Sequence, residues 1–297
     1  MYLLLFLFLE LYSLRFVPLN LNFASVLCLS AIAFYSLWYF DGKEYTGERR
    51  WEAFRSLRLW QWFSPVDLIL PEKNDFQTTK GKRLFVFIPC ATPSSLIWSV
   101  GLHGGNIQFK QTVHYILPPI FLWIPFVRDV LLWTGAITYS NHKTSLSKIA
   151  IITEMLNQGR AVCYTPSNFA DRVITSDLES NIEARYPSED MLKLAIEENI
   201  QIVPVVVQGE FERYKVIQNN QLKSIQAFAF KHLDYPFPLC YWYKWYSHTR
   251  PPLVFVQFGA IMSAQVYETT LKLKDALKDK VSRLTQPSLG DKEIKPL

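Results

Sequence analysis

Hydrophobic residues are distributed unevenly along this chain. Residues 23–40 form an unbroken apolar run that carries no charged side chain and closes with three aromatic residues at 38–40. A bilayer core needs about 20 apolar residues in a helix, and aromatic side chains favour the headgroup level. The run therefore predicts an N-terminal membrane helix. A shorter apolar run at 2–9 precedes it, so the pattern also fits a helical hairpin that turns at 18–22.

A basic and aromatic segment follows the apolar run. Its basic residues alternate with tryptophan and phenylalanine and are Lys43, Arg49, Arg50, Arg55 and Arg58. Because lysine and arginine beside a membrane helix favour the cytosolic side, we expect the rest of the chain to face the cytosol. Thr46 is a candidate N-cap for a helix in this segment. Such a helix either lies in the headgroup plane or docks on the globular domain, and the sequence leaves both interpretations open.

Beyond residue 80, short β-rich apolar runs alternate with stretches of helical period. The apolar runs show almost no polar alternation and lie at 84–88, 161–164, 202–207 and 253–258. Strands of this kind are buried on both faces, as in sheets covered by helices. The helical stretches lie at 144–158, 188–199 and 268–286. The alternation predicts an α/β fold in which a mixed sheet is flanked by helices.

These patterns divide the chain into a membrane anchor at 1–42, a juxtamembrane segment at 43–80 and an α/β domain at 81–297. With 49% hydrophobic residues, the composition excludes a disordered chain. The net charge of +5 is too diffuse to indicate a nucleic-acid partner. The four cysteines lack Cys-x-x-Cys spacing, which fits a reducing cytosolic environment. No residues show metal-ligand spacing, so we expect no metal.

Several short motifs occur in a fixed order along the chain. They are Gly-Glu-Arg-Arg-Trp at 47–51, Ile-Pro-Phe-Val-Arg-Asp at 124–129, Gly-Arg-Ala-Val at 159–162, and Val-Pro at 203–204 followed by Gly-Glu-Phe-Glu-Arg-Tyr at 209–214. Together they resemble motifs of the type 2 diacylglycerol acyltransferase family, which includes monoacylglycerol and wax-alcohol acyltransferases. The catalytic hallmark of that family, His-Pro-His-Gly after the first core strand, is absent. Pro89 and Ala91 stand at the positions of its two histidines.

The resemblance implies an acyltransferase-like fold and a function in neutral glycerolipid or wax-ester synthesis. The implied reaction transfers an acyl group from acyl-CoA, a co-substrate rather than a bound cofactor, to the hydroxyl of diacylglycerol or a similar lipid. The implied partners are the lipid bilayer, acyl-CoA and that acceptor lipid, and the sequence leaves homo- or hetero-oligomers open. The implied location is the endoplasmic reticulum membrane, with the lipid droplet as a second location. Because both histidines are replaced, the alternative is a catalytically silent homologue that binds acyl lipids or regulates an active partner.

The implied chemistry needs a base, because a hydroxyl must lose its proton as it attacks a thioester. Neutral histidine suits this task. His103, in the turn Gly-Leu-His-Gly-Gly, is the best candidate for a substitute base. The alternative is that it is an ordinary loop histidine. His142 precedes a predicted helix, which suits a cap better than a base.

Two acidic residues and one arginine complete the candidate site. Glu210 and Glu212 follow the predicted strand at 202–207, where ligands of α/β sheets gather. Glu210 is a candidate to orient a histidine, and Glu212 is a candidate to bind substrate. The alternative is that both are solvated side chains on a loop. Arg128 is a candidate for binding a phosphate of coenzyme A. The alternative is that it forms an ion pair with Asp129 or another acidic residue.

Overall fold

The structure is a computed structural model. It describes residues 23–57, 66–71, 81–88, 97–102, 111–139, 145–166, 186–208, 214–216, 224–229, 240–242 and 254–285. The chain divides into two compact units, Met1–Gly42 and Lys43–Leu297.

The described part of the first unit is dominated by one helix, α1 (Phe23–Tyr39). The apolar run predicted to be helical is therefore confirmed as a helix, and this helix carries no charged side chain. Its 17 residues rise about 26 Å, which is less than the roughly 30 Å of a bilayer core. Within the described ranges, no helix combines the length and the apolarity needed to cross a membrane. The predicted hairpin turn at 18–22 lies outside the described residues.

The second unit is built on a mixed sheet. Its strands are β1 (Val66–Ile69), β2 (Arg83–Ile88), β3 (Val113–Ile116), β4 (Ala136–Ile137), β5 (Ala161–Tyr164), β6 (Gln201–Gln208), β9 (Val254–Phe258) and β10 (Met262–Ser263). The order is β1-β9-β6-β2-β5-β3-β4, and β10 pairs with the start of β6. The central strands from β6 to β4 are parallel, whereas β9 is antiparallel to β6. Strands β7 (Tyr214–Val216) and β8 (Cys240–Trp242) form a separate antiparallel pair.

Helices cover both faces of the sheet. The described helices of this unit are α2 (Glu52–Arg55), α3 (Val127–Trp133), α4 (Ser145–Asn157), α5 (Glu189–Glu197), α6 (224–229) and α7 (Thr270–Thr285). Apolar side chains of α4, α5 and α7 pack on one face, where Leu192, Leu273 and Leu277 are almost fully buried. Residues of α3 and of a π-helical turn at Ile97–Leu102 pack on the other face. The sheet is therefore the middle of three layers, which confirms the predicted mixed sheet flanked by helices.

Local sequence signals explain several element boundaries. The four predicted apolar runs form strands β2, β5, β6 and β9, and every residue of β2 is buried. Ser188 caps α5 because its hydroxyl accepts a hydrogen bond from the Met191 N–H. After α4, Gly159 adopts a φ of 74°, the left-handed conformation that ends many helices.

The predicted helix capped by Thr46 is wrong. Residues 43–49 form turns, and the helix that follows, α2, has four residues and begins at Glu52. We call residues 43–57 the strap, because they run along β4 at the edge of the sheet. The Thr138 N–H donates to the Glu44 carbonyl oxygen at 2.9 Å, and the Trp51 N–H donates to the Trp133 carbonyl oxygen at 2.9 Å. The strap thus docks on the globular unit and covers an edge that would otherwise expose unpaired backbone groups.

Candidate active site

The carboxyl ends of the parallel strands define one edge of the sheet. In the β2–β6 pairing Ile88 lies opposite Val206, and in the β2–β5 pairing Val86 lies opposite Tyr164. The segments that leave β2, β5 and β6 therefore start side by side. Ligands of open α/β sheets gather at this edge, because loops from neighbouring strands converge there. The fold thus favours this edge as the reaction site.

The predicted site residues are connected to this edge by the chain. Glu210 follows the end of β6 by two residues, and Pro89 follows the end of β2 directly. The residues that sequence analysis singled out and that lie outside the described ranges are Pro89, Ala91, His103, His142, Glu210 and Glu212. Their roles remain predictions. In the described part of the chain, no group of three His, Cys, Asp or Glu residues is arranged to hold a metal.

The backbone directly before His103 is a π-helical turn, Ile97–Leu102, and it is anchored by Arg55. The Arg55 Nε donates to the Gly101 carbonyl oxygen at 2.8 Å, and Nη2 donates to the Val100 carbonyl oxygen at 2.7 Å. The guanidinium is buried and also pairs with Glu52 at 2.8 Å. Isolated π-helical turns occur frequently at functional sites. Sequence analysis assigned Arg55 only to the basic flank, since nothing in its spacing pointed to a turn 45 residues away.

The same turn packs tightly on strand β3. A Cβ atom added at Gly101 would lie 3.1 Å from the Tyr115 ring and 3.3 Å from Thr134. The Tyr115 and Thr134 hydroxyls hydrogen-bond to each other inside this contact. Burial raises the pKa of Tyr115, so its phenol stays protonated near pH 7. Tyr115 therefore supports the turn and is not a base.

Arg128 is fully buried in a network of carboxylates. Its Nη2 donates to Glu44 Oε2 at 2.5 Å, and its Nη1 lies 3.8 Å from Asp129 Oδ1. This arrangement corresponds to the ion pair that sequence analysis set against phosphate binding. A coenzyme A phosphate would have to compete with Glu44, whose side chain is 20% exposed, for this buried arginine.

A second buried ion pair lies beside the first. Arg49 Nη1 donates to Asp129 Oδ1 at 2.6 Å, and both side chains are almost completely buried. The two pairs connect Glu44 and Arg49 of the strap to Arg128 and Asp129 of α3. The Gly-Glu-Arg-Arg and Val-Arg-Asp motifs are thus joined in space.

Strand β3 contributes a buried histidine to the same region. His114 Nδ1 lies 3.1 Å from the Gly135 carbonyl oxygen, so Nδ1 carries the proton and donates. Burial, together with the positive charges of Arg50 and Arg160, lowers the pKa of His114 to about 3. His114 is therefore neutral and structural.

Among the neighbouring positive charges, Arg50 contributes most to the lowered pKa of His114. Its Nη1 donates to the Val113 carbonyl oxygen at 2.8 Å, at the start of β3. Burial and the neighbouring Arg55 lower the pKa of Arg50 to about 10, so it stays charged near pH 7. Cys163 lies in the adjacent strand, where burial raises the pKa of its thiol. A protonated thiol is a weak nucleophile, so Cys163 is a core residue.

The fold defines a mixed α/β protein whose parallel strands β2, β5 and β6 end beside one another at one edge of the sheet. The sequence model of the family described as diacylglycerol acyltransferase matches residues 20–249. This match covers more than half of the chain, and the protein therefore belongs to the diacylglycerol acyltransferase family. The resemblance inferred from the motifs is thereby confirmed.

Two known proteins are similar to this chain. Diacylglycerol O-acyltransferase 2 from Dictyostelium discoideum is 27% identical over 204 residues, which cover 62% of this chain and 56% of that protein. The chain thus spans little more than half the length of this curated relative. Among solved structures, the 1-acyl-sn-glycerophosphate acyltransferase PlsC from Thermotoga maritima is similar with a TM-score of 0.46 and 14% identity, over 78% of this chain and 75% of that one.

Proposed function

We propose that the protein is an acyl-CoA-dependent O-acyltransferase of neutral glycerolipid synthesis. The acceptor hydroxyl oxygen bonds to the thioester carbonyl carbon, the carbon–sulfur bond breaks, and the hydroxyl proton ends on the sulfur of free coenzyme A. The observation that carries the proposal is membership of the diacylglycerol acyltransferase family across residues 20–249. Diacylglycerol or a closely related lipid is the acceptor that this membership favours.

The edge formed by β2, β5 and β6 is the proposed reaction site. His103 takes the acceptor proton, and Glu210 orients this histidine, because a general base must be held within about 3 Å of the proton it removes. Support comes from Arg55, which fixes the carbonyls of Val100 and Gly101 just before His103. Support also comes from β6, whose end lies beside the end of β2 and is followed in the sequence by Glu210.

We also propose that the chain acts at the cytosolic face of the endoplasmic reticulum or on a lipid droplet. The acceptor is a water-insoluble lipid, so the enzyme must reach a lipid phase. Support comes from α1, in which Leu29, Ile32, Phe34 and Leu37 are exposed and no side chain is charged. Alkaline carbonate extraction tests this: the full chain should stay with the membrane pellet, and its release into the supernatant would contradict membrane anchoring.

The activity is tested with membranes that carry the full chain. Radiolabelled oleoyl-CoA and diacylglycerol should yield labelled triacylglycerol above an empty-vector control. His103→Ala should lower the rate by about 10²–10⁴, the usual contribution of a general base. His248→Ala is the matched control, because this histidine has no supporting neighbours in the sequence and should leave the rate unchanged. Equal rates in both variants would contradict the role of His103.

One observation favours a second function, a catalytically silent homologue that binds acyl lipids or regulates an active partner. Pro89 and Ala91 replace the two histidines of the family motif. The same membranes separate the two functions. Saturable acyl-CoA binding without any labelled product would support the silent homologue, whereas product formation would exclude it.

A further inference from the structure

Helix α3 buries two charged residues, together with Leu131 and Leu132, and exposes apolar ones. Its charged residues, Arg128 and Asp129, are buried, whereas Val127 and Val130 are 43% and 40% exposed. A helix on the surface of a water-soluble domain normally does the opposite. The buried charges pair with Glu44 and Arg49 of the strap, and the outer side of α3 presents hydrocarbon.

The residues that lead into α3 extend this apolar side. Trp123, Ile124 and Phe126 are exposed by 47%, 52% and 73%. Phe126 has φ 64° and ψ −46°, and the Val127 N–H donates to the Pro125 carbonyl oxygen at 2.8 Å. This is a γ-turn of the positive-φ type, which is rare and strained for a residue with a side chain. The backbone thus holds an aromatic ring outward at an energetic cost.

The strap continues the same surface at the other end of α3. Trp51 and Phe54 pack edge-on against Trp133, with ring centroids 5.6 Å and 5.5 Å apart. Trp51 itself is about half exposed, as is Leu57. We call the exposed residues of this surface the α3 face: Trp51, Trp123, Ile124, Phe126, Val127 and Val130.

Composition indicates what covers the α3 face. Tryptophan and phenylalanine at a loop tip are typical of segments that enter the boundary between headgroups and acyl chains. The strap, which supplies Trp51, holds Arg49, Arg50 and Arg55 in ion pairs, so the α3 face itself is apolar. The strap also follows α1 directly in the chain, the helix proposed to anchor the protein. These features favour a bilayer over a second protein.

We propose that the α3 face inserts into the headgroup boundary of the bilayer and that Trp123 and Phe126 contact acyl chains there. The inference rests on the proposed membrane association and does not depend on catalysis. Insertion of the α3 face gives the globular unit its own contact with the lipid phase. The face of the sheet that α3 covers then lies toward the bilayer.

Site-specific photo-crosslinking of the full chain tests the proposal. p-Benzoylphenylalanine is placed at position 126 or 123, and at the matched control position 266, because Val266 is 76% exposed but lies outside the α3 face. Each protein is reconstituted into vesicles of phosphatidylcholine with one fifth phosphatidylserine and a trace of tritiated phosphatidylcholine. Positions 126 and 123 should yield several-fold more lipid adduct than position 266.

Three outcomes would overturn the proposal. Equal lipid labelling at positions 126 and 266 would show that the face has no preference for lipid. An adduct of twice the chain mass at position 126 would show that a second copy covers the face. A crosslink from position 126 to the chain's own residues 58–65 would show that this segment covers it. Carbonate extraction and triacylglycerol formation are measured on the same vesicles, so failure of the anchor or of the activity is read separately.

A pair of variants separates contact from folding. Phe126→Gly removes the ring and relieves the positive φ, so the melting temperature should stay the same or rise. Phe126→Asp places a charge at the same exposed tip. Both variants should keep the fold, and both should reduce lipid crosslinking from position 123. Unchanged crosslinking from position 123 in both variants would contradict the insertion of this turn.

Discussion

Gly47 is the residue at which the strap comes closest to the sheet. Its φ is 65°, and a Cβ atom there would lie 2.5 Å from His114 Cε1 and 2.6 Å from His114 Nδ1. Since His114 is itself buried and held by Gly135, it has little room to move. The glycine of the Gly-Glu-Arg-Arg motif is thus required by packing as well as by backbone conformation.

We predict that Gly47→Ala destabilises the folded chain by about 3 kcal/mol, the sum of overpacking and of a positive φ in a residue with a side chain. Gly159→Ala is the matched control, because Gly159 has a φ of 74° but no atom within 4 Å of its Cβ position. It should cost only about 1 kcal/mol. Thermal unfolding in detergent measures both variants, and equal losses would contradict the contact with His114.

His114 also makes stability depend on pH. Its pKa falls from 6.5 in the unfolded chain to about 3 in the folded protein. Below pH 6.5 the unfolded chain therefore binds a proton that the folded protein does not, so the contribution of His114 is complete above pH 6.5 and is lost as the pH falls.

We predict that this contribution declines by about 1.4 kcal/mol per pH unit below about pH 6. Denaturant unfolding between pH 7 and pH 5 measures the decline. His114→Gln cannot titrate, so its stability should change less over the same interval. The same pH dependence in both proteins would show that His114 is already charged in the folded state.

At the scale of elements, the strap and α3 are joined by buried charge. Arg49 and Asp129 are 4% and 8% exposed and lie 2.6 Å apart. Removing one partner leaves the other charge buried, which typically costs 3–5 kcal/mol.

We predict that Arg49→Ala and Asp129→Ala each destabilise the protein by about 3 kcal/mol, and that the double variant loses clearly less than the sum. A double-mutant cycle on unfolding free energies measures the coupling. Lys272→Ala and Glu268→Ala form the control cycle, because this ion pair on α7 is exposed and should couple by less than about 1 kcal/mol. Additive losses for Arg49 and Asp129 would contradict a direct pair.

Sequence patterns predicted some elements well and missed others for physical reasons. Strands β2, β5 and β6 are mostly apolar because they are buried on both faces, and this leaves a strong signal. Strand β9 buries only alternate residues but is still rich in apolar ones. Strand β1 is partly exposed at the edge, and β3 lies within an apolar stretch that leads directly into prolines, so neither produced a clear pattern. The strap was misread as a longer helix because its arginines pair with partners 45 to 80 residues away, which local spacing cannot show.

At the scale of the whole molecule, the sheet edge could be predicted but its chemistry could not. The order of motifs predicted the family, and the parallel strands bring the ends of β2 and β6 together as an α/β fold requires. The substitution of Pro89 and Ala91 for the family histidines is visible in the sequence alone. The identity of a replacement base depends on distances between side chains that are remote in sequence, so spacing could only rank His103 above the other histidines.

The stoichiometry of the reaction tests the proposed function most directly. The full chain in detergent–lipid micelles is given labelled oleoyl-CoA and diacylglycerol, and free coenzyme A thiol and labelled triacylglycerol are both followed over time. We predict that thiol and triacylglycerol rise together, one for one, and that both require diacylglycerol. Thiol release that is independent of diacylglycerol would indicate a thioesterase, and the absence of both products from a folded chain that binds acyl-CoA would contradict a catalytic role.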